Sequence, residues 1–148
     1  MELILWRHAE AEDGADDMER KLTAKGRKQA ERVAAWLHSQ LPKSFRVISS
    51  PAKRALQTAK ALQAPMETSE LLAPGRFAAE ILRAVDWPNR DELIIAVGHQ
   101  PTLGQAASRL LGHGGDLSIQ KGALWWIEAR DTAGRDVRVR AVIGPDFL

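Results

Sequence analysis

Leu93-Ile94-Ile95-Ala96-Val97 is an unbroken apolar run, too short for a helix and without the alternation of a half-exposed strand. A segment that is apolar on every side suits a strand of a parallel sheet covered on both faces. Such a strand needs helices above and below it, so the run draws the chain toward an α/β fold. Its surroundings agree. Leu3-Ile4-Leu5-Trp6 and Phe45-Arg46-Val47-Ile48 read as two further strands, and each precedes a stretch with helical spacing.

The first of those stretches has Thr23 as its N-cap and an apolar stripe of Ala30, Val33, Ala34, Leu37 and Leu41. Lys28, Glu31, Arg32 and His38 lie off the stripe, and Pro42 ends it. In the second, Ser50 and Pro51 read as cap and first helical position, with Ala55, Leu56, Ala59 and Leu62 buried. Pro65–Thr68 predicts a short strand, and Phe77, Ala78, Ile81, Leu82 and Val85 a third packed helix from which Glu80 faces solvent. After Val97, Gly98 suits a tight turn and Pro101 a first helical position, leading into Leu103, Ala106, Ala107, Leu110 and Leu111. Leu124–Glu128 and Val137–Ile143, joined across Asp131-Thr132-Ala133-Gly134, predict an antiparallel edge hairpin. The expectation is a single domain over 1–148, a three-layer α/β/α sandwich with a mostly parallel central sheet.

Composition narrows the chemistry. There is no cysteine, which removes disulfides, thiolate zinc sites and cysteine nucleophiles. The net charge of +2 comes from basic residues interleaved with acids, so no nucleic-acid footprint is expected. Apolar runs are too short to cross a bilayer, and the amino terminus, charged at Glu2 and Arg7, does not read as a signal peptide. A cytoplasmic location is expected; the oligomeric state is left open, a monomer being compatible with the sequence.

Open α/β sheets place ligands at the carboxyl ends of their strands, and three such ends carry reactive or cationic residues. The first strand delivers Arg7, a fork of donors suited to phosphate, and His8, a nitrogen able to attack or donate near neutral pH. The second leads to Lys53 and Arg54 in the first turn of a helix, where a cation is disfavoured by roughly 0.3–1 kcal/mol unless an anion is held there. Lys53 reads as solvated and Arg54 as an anion ligand. The central strand delivers His99 at a helix N-terminus. His38 and His113 read as surface and loop residues, and the acids between Glu10 and Glu19 as a solvated connection. A metal reading of His8-Ala9-Glu10 needs a later Cys-x-x-Cys pair, which this chain lacks.

In order along the chain, Arg7-His8, Leu22-Thr23-x-x-Gly26-x-x-Gln29-Ala30, Ser49-Ser50-Pro51-x-x-Arg54-Ala55-x-x-Thr58-Ala59 and Gly98-His99 resemble the motifs of the histidine phosphatase superfamily, the phosphoglycerate mutase-like fold. The small size and the Gly98-His99-Gln100-Pro101 form are most similar to its bacterial phosphohistidine phosphatases. The resemblance implies that His8 is the nucleophile and that Arg7, Arg54 and His99 hold the phosphoryl oxygens. It implies no metal and no cofactor, and a phosphohistidine-bearing protein as substrate.

The chain departs from the wider family at two places. Ala9 stands where the first motif commonly ends in glycine. Leu72-Ala73-Pro74 stands where the mutase and phosphomonoesterase branches carry Leu-x-Glu, whose glutamate protonates the leaving oxygen. Without that acid, departure of an alkoxide forfeits about 10²–10⁴-fold, whereas imidazole leaves from a phosphoramidate with less help. Glu70 or Glu80 remains a substitute acid. A small-molecule phosphomonoesterase and a non-catalytic phosphate-binding module stay as alternatives.

Overall fold

The computed structural model describes residues 1–148. Its strands are β1 (Glu2–Arg7), β2 (Arg46–Ser49), β3 (Glu67–Thr68), β4 (Leu93–Gly98), β5 (Leu124–Ala129) and β6 (Val137–Ile143), and its helices α1 (Ala24–Gln40), α2 (Lys53–Lys60), α3 (Ala78–Ala84) and α4 (Thr102–Leu111). The strands form one sheet in the order β3-β2-β4-β1-β5-β6. β4 runs parallel to both β1 and β2, and β3 parallel to β2, while β5 and β6 continue the sheet antiparallel from β1. The expected mixed sheet with its edge hairpin is what the chain adopts.

Period-two alternation sorts the core into two layers. Leu3, Leu5, Ile94 and Ala96 face α3 and α4, meeting Ile81, Val85, Leu103, Ala106 and Ala107. Ile4, Trp6, Leu93, Ile95 and Val97 face α1 and α2, meeting Val33, Ala34, Leu37, Ala55 and Ala59. Every residue of β4 is buried, which explains a run with no polar position. Burying each large apolar side chain contributes roughly 1.5–3 kcal/mol.

Helix ends follow local chemistry, with some shifts from the expected positions. Thr23 caps α1, its hydroxyl oxygen accepting from Gly26 N–H at 2.9 Å. α4 stops at Gly112, whose φ of +65° is a left-handed cap that glycine adopts without steric cost. α2 begins at Lys53 with Ala52 at the cap, and not at Pro51; the Ser50 hydroxyl accepts from Ala52 N–H and also reaches His99. Pro101 is likewise the cap of α4 and Thr102 its first residue. Gly98 makes no turn; it is the last residue of β4, paired with Arg7. Leu56 is only half-buried, the inward position being taken by Thr58. Phe77 is 72% exposed, since it precedes α3 and does not lie on its packed stripe. No helix is long and apolar enough to cross a membrane.

Candidate active site

The parallel strands end level with one another. Arg7 is opposite Gly98, and Ser49 opposite Val97, so the next residues, His8, His99 and Ser50, lie side by side with His99 in the middle. Backbone bonds continue the register past the strands: His8 N–H donates to Gly98 O at 3.0 Å, and Ser50 N–H to Val97 O at 2.9 Å. The helix after β1 packs on one face of the sheet and the helix after β4 on the other. That divergence opens a crevice between their carboxyl ends. Arg7, His8 and His99 occupy it, joined by Arg54 from the first turn of α2.

His8 is 7% exposed and fixed in one tautomer. Its Nδ1 lies 2.7 Å from the Ala9 carbonyl oxygen, an acceptor only, so Nδ1 carries the proton and Nε2 keeps its lone pair. Arg54 Nε–H donates toward that Nε2 at 3.3 Å. Burial, opposed by the Ala9 carbonyl and assisted by Arg54, Arg7 and Arg20, lowers the His8 pKa to about 4. The imidazole is therefore neutral at pH 7, with its lone pair at Nε2.

His99 lies beside it, ring centroids 5.1 Å apart, with its Nε2 2.7 Å from the Ser50 hydroxyl. That hydroxyl also accepts from Ala52 N–H at 3.1 Å. The other ring nitrogen of His99, Nδ1, is buried with no partner in the protein. Burial, reinforced by the nearby His8 and Arg54, brings the His99 pKa down to about 3.

Arg54 is 4% exposed. Its Nη1 donates to the Asp17 carbonyl oxygen at 2.7 Å and its Nη2 to Asp17 Oδ2 at 3.2 Å. Asp17 also pairs with Arg20 at 3.0 Å, and these two arginines hold its carboxyl below the usual range, the Arg20 hydrogen bond foremost. Arg7 donates through Nη1 to the Ile119 carbonyl oxygen at 2.8 Å. Burial pulls its pKa down, with no carboxylate partner to oppose this.

The motif residues after Arg7-His8 hold the chain that follows His8. Ala9 N–H donates to Thr58 Oγ1 at 3.0 Å, and the Thr58 hydroxyl donates to Arg54 O at 2.8 Å. Glu10 N–H donates to Gln29 Oε1 at 3.0 Å, while Glu10 O accepts from Thr23 N–H at 3.0 Å. Gly26 is required because any Cβ there would overlap the Glu10 carbonyl. On the other side, Gly122 N–H donates to His8 O and its carbonyl accepts from Trp6 Nε1.

Together Arg7, His8, Ala11, Arg20, Arg54, Pro74, His99, Gln100 and Lys121 line a cavity of about 210 Å³. All four residues expected from the sequence are in it, and Lys53, His38 and His113 are exposed, as expected. Pro74 reaches the rim, so the Leu72-Ala73-Pro74 stretch lies beside the pocket without supplying an acid. Glu80 is not free in solvent; it accepts from Arg76 and from the Phe77 N–H. The acidic loop is not simply solvated either, because Asp17 grips Arg54. Neither Asp17 nor Lys121 has a local sequence signal, although Arg54 in a helix's first turn required some anion.

A family model for the histidine phosphatase superfamily (branch 1) matches residues 3–79. An uncharacterized protein of Picosynechococcus sp. is 38% identical over an alignment that covers 100% of this chain and 99% of the relative. Among solved structures, the protein histidine phosphatase SixA complexed with tungstate superposes with a TM-score of 0.88 at 22% identity, covering 99% of both chains. A SixA structure from Nakamurella multipartitia gives 0.83 at 27% identity, covering 97% of this chain and 95% of that one.

Proposed function

Because this chain belongs to branch 1 of the histidine phosphatase superfamily, we propose that it is a metal-independent phosphatase acting through His8, with phosphohistidine on a protein such as a phosphotransfer domain as its substrate. The observation that carries this reading is the charge of the pocket. Arg7, Arg20, Arg54 and Lys121 line it, and no carboxylate does.

In the first step the His8 Nε2 lone pair attacks phosphorus as the P–N bond to the substrate imidazole breaks. The bonding pair returns to that nitrogen, and the imidazole leaves neutral with its proton on the other ring nitrogen. Arg7, Arg54 and His99 stabilise the spread negative charge, each well-placed donor worth about 10²–10³ in rate. The Ala9 carbonyl keeps the proton on His8 Nδ1, so the intermediate is a phosphoimidazolium with a weak P–N bond. Water then attacks phosphorus, the bonding pair returns to Nε2, and inorganic phosphate departs with both of the water's protons.

An alkoxide leaving group would need a proton donor, and neither Glu70 nor Glu80 lines the pocket. That disfavours the phosphomonoesterase alternative. The likeness in fold to SixA supports the phosphohistidine reading. The test is phosphate release from a phosphohistidine-bearing phosphotransfer protein in the presence of chelator, wild type beside His8→Ala. Release by the wild type and none by the variant is expected. Turnover of phosphomonoesters alone would transfer the assignment to the ester alternative, and phosphate affinity without any turnover would mark a binding module.

A further inference from the structure

Beside the catalytic pocket runs a larger groove of about 700 Å³, lined by Arg7, Lys25, Lys28, Arg32 and Lys121 against only two carboxylates, Glu10 and Asp146. Arg7 and Lys121 line both hollows, so the groove leads directly to the phosphoryl site. None of its five cations forms an ion pair. Lys25 and Lys28 stand near the positive end of the α1 dipole, where anions are favoured; the one acid there is Glu10, whose carboxylate accepts from the Thr23 hydroxyl at 2.8 Å, and the first turn of α1 adds none. Cations therefore outnumber acids along the groove by five to two.

Resting on the phosphohistidine reading above, we infer that this groove docks an acidic helix of the substrate protein. The spacing selects a helix over a compact anion. Lys25, Lys28 and Arg32 follow one another on a single face of α1 and span about 10 Å along its axis at 1.5 Å per residue. A partner helix with carboxylates three to four and seven residues apart repeats that spacing. A single phosphate would call for converging donors, most of them bidentate arginines, whereas three of the five cations here are lysines acting as point charges. All three α1 cations are exposed, which suits long-range steering of a charged surface.

The test uses a helical peptide with glutamates at i, i+4 and i+7, free of phosphate, titrated into the wild type and into Lys25→Gln/Lys28→Gln/Arg32→Gln while backbone amide resonances are followed. Shifts centred on residues 25–32 and 121 are expected, with affinity about ten-fold weaker in the triple variant and falling with salt. The same peptide carrying phosphohistidine, compared with free phosphoramidate, should show the ratio of the two kcat/KM values dropping about ten-fold in the triple variant. Absence of shifts in the groove, or affinity unaffected by the triple substitution, overturns the inference. So does tripolyphosphate binding there more tightly than the peptide, which would mark a site for a compact polyanion. If the peptide binds in the groove but neither phosphoramidate is hydrolysed, the phosphohistidine reading fails while the acidic-helix groove stands.

Discussion

Lowering the pH from 7 to 5 should destabilise this protein through two histidines in particular. His8 and His99 have folded pKa values of about 4 and about 3, against about 6.5 in an unfolded chain. Both values are depressed, so in this range the unfolded state binds more protons than the folded one, and stability falls as pH falls. Each histidine contributes about 1.8 kcal/mol between pH 7 and pH 5, so roughly 4 kcal/mol is lost in all. That is a large part of the ~5–15 kcal/mol stabilising a typical domain. Urea unfolding at half-unit pH intervals measures it directly, over a range above the titration of most carboxylates. His8→Asn removes one of the two sites and should halve the loss to about 2 kcal/mol. A wild-type profile flat over this interval, or an identical slope in the variant, would show that these imidazoles are not held neutral by burial.

Two further changes probe the frame around His8. Thr58→Val keeps shape but strands the buried Ala9 N–H, and a stranded donor costs about 1–3 kcal/mol; chemical denaturation should show a midpoint shift of that size, and one under 0.5 kcal/mol would refute the role given to this hydroxyl. Gly26→Ala drives a methyl into the Glu10 backbone, two residues from His8, the proposed nucleophile. Displacing the nucleophile by even 1 Å costs about 10²-fold, so kcat should fall steeply while far-UV circular dichroism stays native; unchanged kcat would mean that the loop moves independently of His8.

Much of this site was legible from one-dimensional pattern. Apolar runs ending abruptly in Arg7-His8 and Gly98-His99 mark strand ends, and a common strand direction brings such ends to one edge. Arg54 could be placed because a cation in a helix's first turn is unfavourable without an anion nearby. What pattern did not show is which anion the protein itself provides. Asp17 lies in a single 3₁₀ turn among acids of similar local character, and only the path of that loop across α2 distinguishes it. Lys121 is similarly hidden, because the segment around it reaches the site through Arg7 Nη1 and the Ile119 carbonyl, a contact across more than a hundred residues. The misplaced starts of α2 and α4 have the same origin. Ser50-Pro51 and Pro101 carry local start signals, but Ser50 is also engaged by His99, and Gln100 bridges Gly104 N–H to the Leu117 carbonyl.

The position of β4 also governs when this site can come into being. β1 and β2 bond to β4 and not to one another, so a chain emerging from the ribosome already carries His8 and Arg54 with no sheet to hold them level. Only when residues 93–98 arrive and insert between two earlier strands does the crevice acquire its floor, and His99 comes with them. Pairing of such long sequence separation is slow to form, and until then the unpaired edges of β1 and β2 are open to other chains. The strand that completes the pocket is thus also the one that closes an open edge on each of two earlier strands at once.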